Sequence, residues 1–76
     1  MHFIIYFNPD REYEDEALLL ARRLFAYFDT AIDSLSLIPS SDEDLALHLN
    51  GRLIHSLSQT GRSPRVSDVL AVLTPG

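Results

Sequence analysis

The sequence predicts a two-layer α/β domain whose elements run β-α-β-β-β-α. Three observations carry this expectation. The chain opens on a short β-branched and aromatic run, Phe3-Ile4-Ile5-Tyr6-Phe7. An amphipathic stripe at helical spacing follows it. An Asn50-Gly51 pair then sits between two alternating segments. A β-α-β crossover makes the first two strands parallel, and a hairpin then adds antiparallel strands. The result is a mixed four-stranded sheet with two helices packed on it.

Each element has its own local reason. Phe3 to Phe7 is apolar on both faces, as a central strand requires. Asn8 is a good N-cap and Pro9 suits the first helical position, with Asp10 as the alternative cap. From about Glu12 to Phe28, Tyr13, Ala17, Leu20, Ala21, Leu24 and Phe28 recur three and four apart and form one apolar stripe. Acidic Glu12, Glu14, Asp15 and Glu16 crowd its start and Arg22 and Arg23 lie in its second half, matching the helix dipole. Ile32 to Ile38 alternates and reads as a half-buried strand, ended by Pro39. Ser40 to Asp44 is a polar loop.

Leu45 to Leu49 alternates again, and Arg52 to Leu57 is the returning strand. A two-residue type I′ turn sets Leu49 against Arg52, Leu47 against Ile54 and Leu45 against Ser56. Ser58 to Arg62 is a loop. Ser63-Pro64 opens a short helix with Val66, Val69, Leu70 and Leu73 on its apolar stripe, and Pro75-Gly76 stops it.

Composition narrows the function. At 76 residues the chain is one domain, 1–76. It has no cysteine, which removes disulfides, thiolate chemistry and cysteine-held metals. Net charge is −5 and every base is arginine, a poor match to nucleic acid or anionic membranes. No apolar run approaches the roughly 20 residues of a membrane span. Met1 to Asp10 lacks the basic start and cleavage site of a signal peptide. A cytoplasmic location is expected.

Several motifs together resemble one family. Asn50-Gly51-Arg52-Leu53-Ile54-His55-Ser56 resembles the glycine-basic-Leu-Ile-His-Ser hairpin of the selenoprotein W-like (Rdx) family. Gly61-Arg62-Ser63-Pro64 is similar to its Gly-Arg-x-Pro turn before the last helix. Leu37-Ile38-Pro39-Ser40 resembles the close of its second strand. Tyr6 and Tyr13 sit where the family has a tyrosine before its redox motif and an aromatic residue after it. The resemblance implies a thioredoxin-like fold, and a structural hydrogen-bonding role for His55.

The departure is chemical. Where the family carries Cys-x-x-Cys or Cys-x-x-selenocysteine, this chain has Phe7-Asn8-Pro9-Asp10, with Phe7 and Asp10 at the chalcogen positions. Disulfide exchange needs a thiolate or selenolate, which neither residue supplies. The glycine-rich approach to the third strand is replaced by Ser41-Asp42-Glu43-Asp44. No catalytic residue is therefore carried over and no cofactor is expected.

The expected function is a redox-inactive member working as a small protein-interaction or regulatory module. The alternative is a thiol-oxidoreductase homologue whose cysteines are altered or replaced in this chain. Tyr6, Phe7, Asn8, Pro9, Asp10 and Tyr13 form the candidate partner-binding loop. Phe7 is either its exposed aromatic anchor or the buried end of the first strand. The expected partner is a protein, and the chain is expected to be a monomer or weak homodimer, since an edge strand permits strand addition.

Other constellations reduce to structural roles. His48 and His55 fall on one face of the predicted hairpin, roughly 7 Å apart as diagonal neighbours, with His2 near them if the first strand pairs with the third. A zinc site needs further convergent ligands that no motif supplies. Asp10 and Glu12 suit helix capping rather than acid–base work, because a helix N-terminus keeps carboxylates ionised. Ser56, His55 and Asp68 have triad residue types, yet adjacent strand residues point to opposite faces. Gly61-Arg62-Ser63 before a helix could hold an anion, in competition with Ser63 as the cap.

Overall fold

The structure, a computed structural model, describes residues 1–74. Four strands form one sheet: β1 (His2–Phe7), β2 (Ser34–Pro39), β3 (Leu45–Leu49) and β4 (Arg52–Ser56). The order across the sheet is β2-β1-β3-β4. β1 runs parallel to β2 and antiparallel to β3, and β3 and β4 form the hairpin. Helix α1 (Glu14–Phe28) joins β1 to β2. A single turn, α2 (Leu57–Thr60), and the final helix, α3 (Val66–Leu73), follow β4. The expected mixed four-stranded sheet is present.

Strand alternation decides the core. Phe3, Ile5 and Phe7 of β1 and Leu45, Leu47 and Leu49 of β3 point one way, into Ala17, Leu20, Ala21 and Leu24 of α1 and Val69 of α3. Helices α1 and α3 touch each other and so lie on the same face. The opposite face carries Ile4 and Tyr6, half-buried, and among the described residues α1 and α3 both pack on the other side. There the Tyr6 ring meets His48 edge-on, with centroids 5.0 Å apart. The double-sided apolar character of β1 thus does not mean helices on both sides.

Helix boundaries differ from expectation at both entrances. Asn8 does cap, but it caps a separate 3₁₀ turn at Pro9–Arg11, its side chain accepting from the Asp10 N–H at 3.0 Å. Glu12, left-handed at φ 64°, ends that turn, and α1 starts only at Glu14. Asp10 is not the cap. A second 3₁₀ turn, Asp29–Ala31, delays β2 to Ser34, and Pro39 is its last residue rather than its stop.

The expected loop after β4 contains the helical turn α2, closed by Gly61 at φ 80°. Ser63-Pro64 does not open the last helix. Arg65 is the N-cap, and Asp68 three residues on accepts its N–H at 2.8 Å. Leu73 is half-exposed rather than core. The predicted stop at Pro75-Gly76 lies outside the described residues.

The hairpin turn is as expected, with Asn50 at φ 51° and Gly51 at φ 81°. Asn50 also ties the turn to β1: its Oδ1 accepts from His2 N–H at 3.0 Å and its N–H donates to the His2 carbonyl at 2.8 Å. Beyond the turn the register slips. Leu49 faces Arg52 and His48 faces Leu53, but Leu47 faces His55 and Ala46 faces Ser56. Ile54 is the extra residue of a β-bulge. The predicted Leu47–Ile54 and Leu45–Ser56 pairs are therefore not formed.

Candidate functional site

The bulge moves the key histidine. In an unbroken ladder His55 would share a face with His48. One inserted residue sends it to the helix-covered face, opposite Leu47. Ile54 packs against the core on that side as well. His48 remains on the open face beside Tyr6, and His2 Nδ1 lies 2.7 Å from Ser34 Oγ. The three histidines are thus not gathered. Among the described residues no group of three metal-ligating side chains converges.

His55 is instead the centre of a polar cluster that links β4 to the last helix. Its Nε2 lies 2.7 Å from Thr60 Oγ1 and 3.1 Å from the Arg62 carbonyl. Its Nδ1 faces Asp68 Oδ1 at 3.7 Å. Thr60 closes the inner ring by donating to the Ser56 carbonyl at 2.8 Å. Arg62 reaches Asp68 with two N–H groups, at 3.0 and 2.6 Å, and donates to the Ser63 carbonyl at 3.0 Å. This fork holds the Asp68 carboxyl below the usual carboxylate range. The Arg65 N–H and the charges of His55 and Arg62 add to it, and burial works against it.

That geometry settles two of the constellations. The helix start lies at Arg65 rather than at Gly61-Arg62-Ser63, so the N–H groups of that stretch are not a helix-start anion site, and the Arg62 side chain grips the Asp68 carboxylate. Ser63 is not a cap; its hydroxyl donates to Glu16 Oε2 at 2.9 Å and fastens the turn to α1. Asp68 does meet His55, but Ser56 does not join them. Its fully buried hydroxyl donates to Glu43 Oε2 at 2.9 Å. The hydroxyl beside His55 belongs to Thr60, which also bonds backbone carbonyls. Sequence reasoning missed Thr60, although a threonine four residues after Ser56 is placed to bond its carbonyl once the segment is helical.

The loop after β1 sits at the end of the sheet. Phe7 is only 7% exposed and lies in the core, so it is the end of the strand and not a displayed anchor. Asn8 is buried too, and its N–H donates to the Asp44 carbonyl at 3.0 Å. Arg11 Nε meets Asp44 Oδ1 at 3.3 Å, and Ser40 N–H donates to the Phe7 carbonyl at 2.8 Å. The outward surface consists of Pro9, Asp10, Arg11 and Glu12. Asn8, Pro9 and Asp10 form a shallow cleft with Pro39, Ser40 and Ser41. Tyr13 is half-buried and packs against the core.

These features define a thioredoxin-like domain in which the loop closing β1 carries no thiol. Residues 2–74 match the Rdx family, and the chain belongs to it. A selenoprotein W-related protein from Vibrio cholerae has a similar structure. Its TM-score is 0.79 at 20% identity, over 90% of this chain and 85% of that one. A protein from Bordetella parapertussis is similar at TM-score 0.81 and 17% identity, over 95% and 91% of the two chains. At these identities the likeness is one of fold. No curated protein matches the chain.

Proposed function

We propose that this chain is a redox-inactive member of the Rdx family that works by non-covalent binding to a protein. The observation that carries the reading is the pair of residues at the redox positions. Phe7 is a core side chain, and Asp10 is an exposed carboxylate on a 3₁₀ turn. Neither can attack a disulfide sulfur or form a mixed disulfide. The structural half of the family pattern is kept: Asn50 and Gly51 make the turn, Leu53 pairs with His48, and Ile54 forms the bulge. His55 and Arg62 build the joint with α3, Gly61 closes the turn between them, Ser56 is buried against Glu43, and Pro64 packs beside α1. A scaffold maintained without its nucleophile has binding left to do. Its displayed loop offers Pro9 and Asp10, flanked by the cleft at Pro39–Ser41.

Purified protein is assayed for reduction of insulin or glutathione disulfide with a dithiol reductant present. The expected rate equals that of the reductant alone; a clear excess overturns the reading. For the binding half, partner recovery is compared between the wild type and a Pro9→Ala/Asp10→Ala double variant shown to be folded. Unchanged recovery removes this loop as the docking site.

A further inference from the structure

The two edges of the sheet are built differently. β4 is guarded: it carries Arg52, holds the bulge at Ile54, and runs straight into α2. Charges and bulges of this kind keep an edge from pairing with another chain. β2 has only Pro39, at its far end. Ser34-Leu35-Ser36-Leu37-Ile38 contains no charge, no glycine and no bulge, and no strand lies on its outer side. Asp33, just before it, is already paired with the terminal amino group at 2.6 Å.

The helix beside that edge is apolar where a solvated helix would be polar. Glu16, Leu20 and Arg23 of α1 turn toward Ser63 and Pro64. At 3.6 residues per turn, Leu18 and Phe25 lie on the opposite flank, on the side of β2. They are 48% and 50% exposed. Leu18 sits in a shallow hollow between Asp15 and Arg22. Among the described residues neither Asp15 nor Arg22 has an ion-pair partner. The flank is thus acidic toward the helix N-terminus, apolar in the middle and basic beyond.

We propose that β2 and the Leu18–Phe25 flank of α1 form a two-fold interface with a second copy of this chain. In a two-fold contact the same patch meets itself, so residue i of one copy meets j of the other and j meets i. Two β2 strands pair antiparallel and continue the sheet across both copies. The two α1 helices then run antiparallel beside each other, each Asp15 facing an Arg22 of the other copy, with Leu18 packed near the two-fold axis and Phe25 against the turn that precedes the other copy's α1. That charge order is what favours a second copy over an unrelated strand. The inference does not depend on the reading of the β1 loop.

The test is sedimentation equilibrium from micromolar to millimolar concentration, with folding confirmed by circular dichroism. A reversible dimer is expected. Ser36→Lys, placing a charge on the edge, and Leu18→Glu, placing one on the flank, should each weaken it by about tenfold or more. Arg22→Asp should weaken it, and Asp15→Arg added to Arg22→Asp should recover it. Should Ser36→Lys not fold, Ser36→Cys supplies the only thiol in the chain, and mild oxidation should link two copies covalently. A chain that stays monomeric throughout overturns the proposal, as does a dimer indifferent to both the edge and flank substitutions.

Discussion

Arg62 and Asp68 are joined by two parallel N–H···O bonds of 3.0 and 2.6 Å, and this fork closes the joint between the β4 hairpin and α3. The same carboxylate caps α3 through the Arg65 N–H at 2.8 Å and faces His55. One aspartate therefore serves a turn, a helix start and a buried histidine.

Asp68→Asn should cost about 1–2 kcal/mol at neutral pH, the lower part of the range for charged hydrogen bonds because the Arg62 end is partly solvated. Arg62→Lys should recover little, since an ammonium cannot reproduce the fork. The pH dependence follows from the sign of the shift. Asp68 is lowered from about 3.8 in the folded chain, so its contribution is complete above that value and is lost as pH falls through the folded value. Urea unfolding at neutral and acid pH should show a shallower acid loss for Asp68→Asn than for the wild type. Parallel acid limbs would contradict this account.

Phe7→Ala should destabilise by about 3–5 kcal/mol, because a buried ring is lost and the rigid sheet cannot collapse onto the space. In a 76-residue domain with a thin stability margin this leaves the chain largely unfolded at moderate temperature. A loss well under 1 kcal/mol in denaturant titration would mean that the ring is displayed rather than packed.

His55→Leu keeps the volume and removes the bonds to Thr60 and the Arg62 carbonyl. The expected loss is about 1–3 kcal/mol, from the polar groups left without a partner. Thr60→Val should cost less, because that side chain is exposed and water can replace it. Comparing the two by thermal unfolding checks the ranking; equal losses would place the weight on Thr60.

Two backbone substitutions should move stability in opposite directions. Gly61 sits at φ 80° with open space where a Cβ would go, so Gly61→Ala meets only backbone strain, about 1 kcal/mol. Asp29 is held at φ 46°, ψ −120°, a conformation that favours glycine. Asp29→Gly should raise the midpoint by relieving about 1 kcal/mol net of the added chain entropy. Melting curves of the two variants test both signs at once.

The periodicities that a chain writes into its own sequence are local, and they were legible. The β-branched and aromatic run of β1, the alternation along β2 and β3, the three–four spacing of α1 and the Asn50-Gly51 turn named the elements and their order. The absence of any sulfur nucleophile could be read without a structure. The tertiary structure alone decided what depends on register and on distant partners. Ile54 and His55 are both acceptable to a strand, and nothing local says that one of them is extra. The bulge puts both toward the core opposite Leu47, which sends His55 to Thr60, Arg62 and Asp68 rather than to His48. Phe7 is buried because Leu45, on a strand nearly forty residues away, pairs with it. A one-residue slip leaves the local pattern almost unchanged but reverses the face of every side chain beyond it, so only packing could choose.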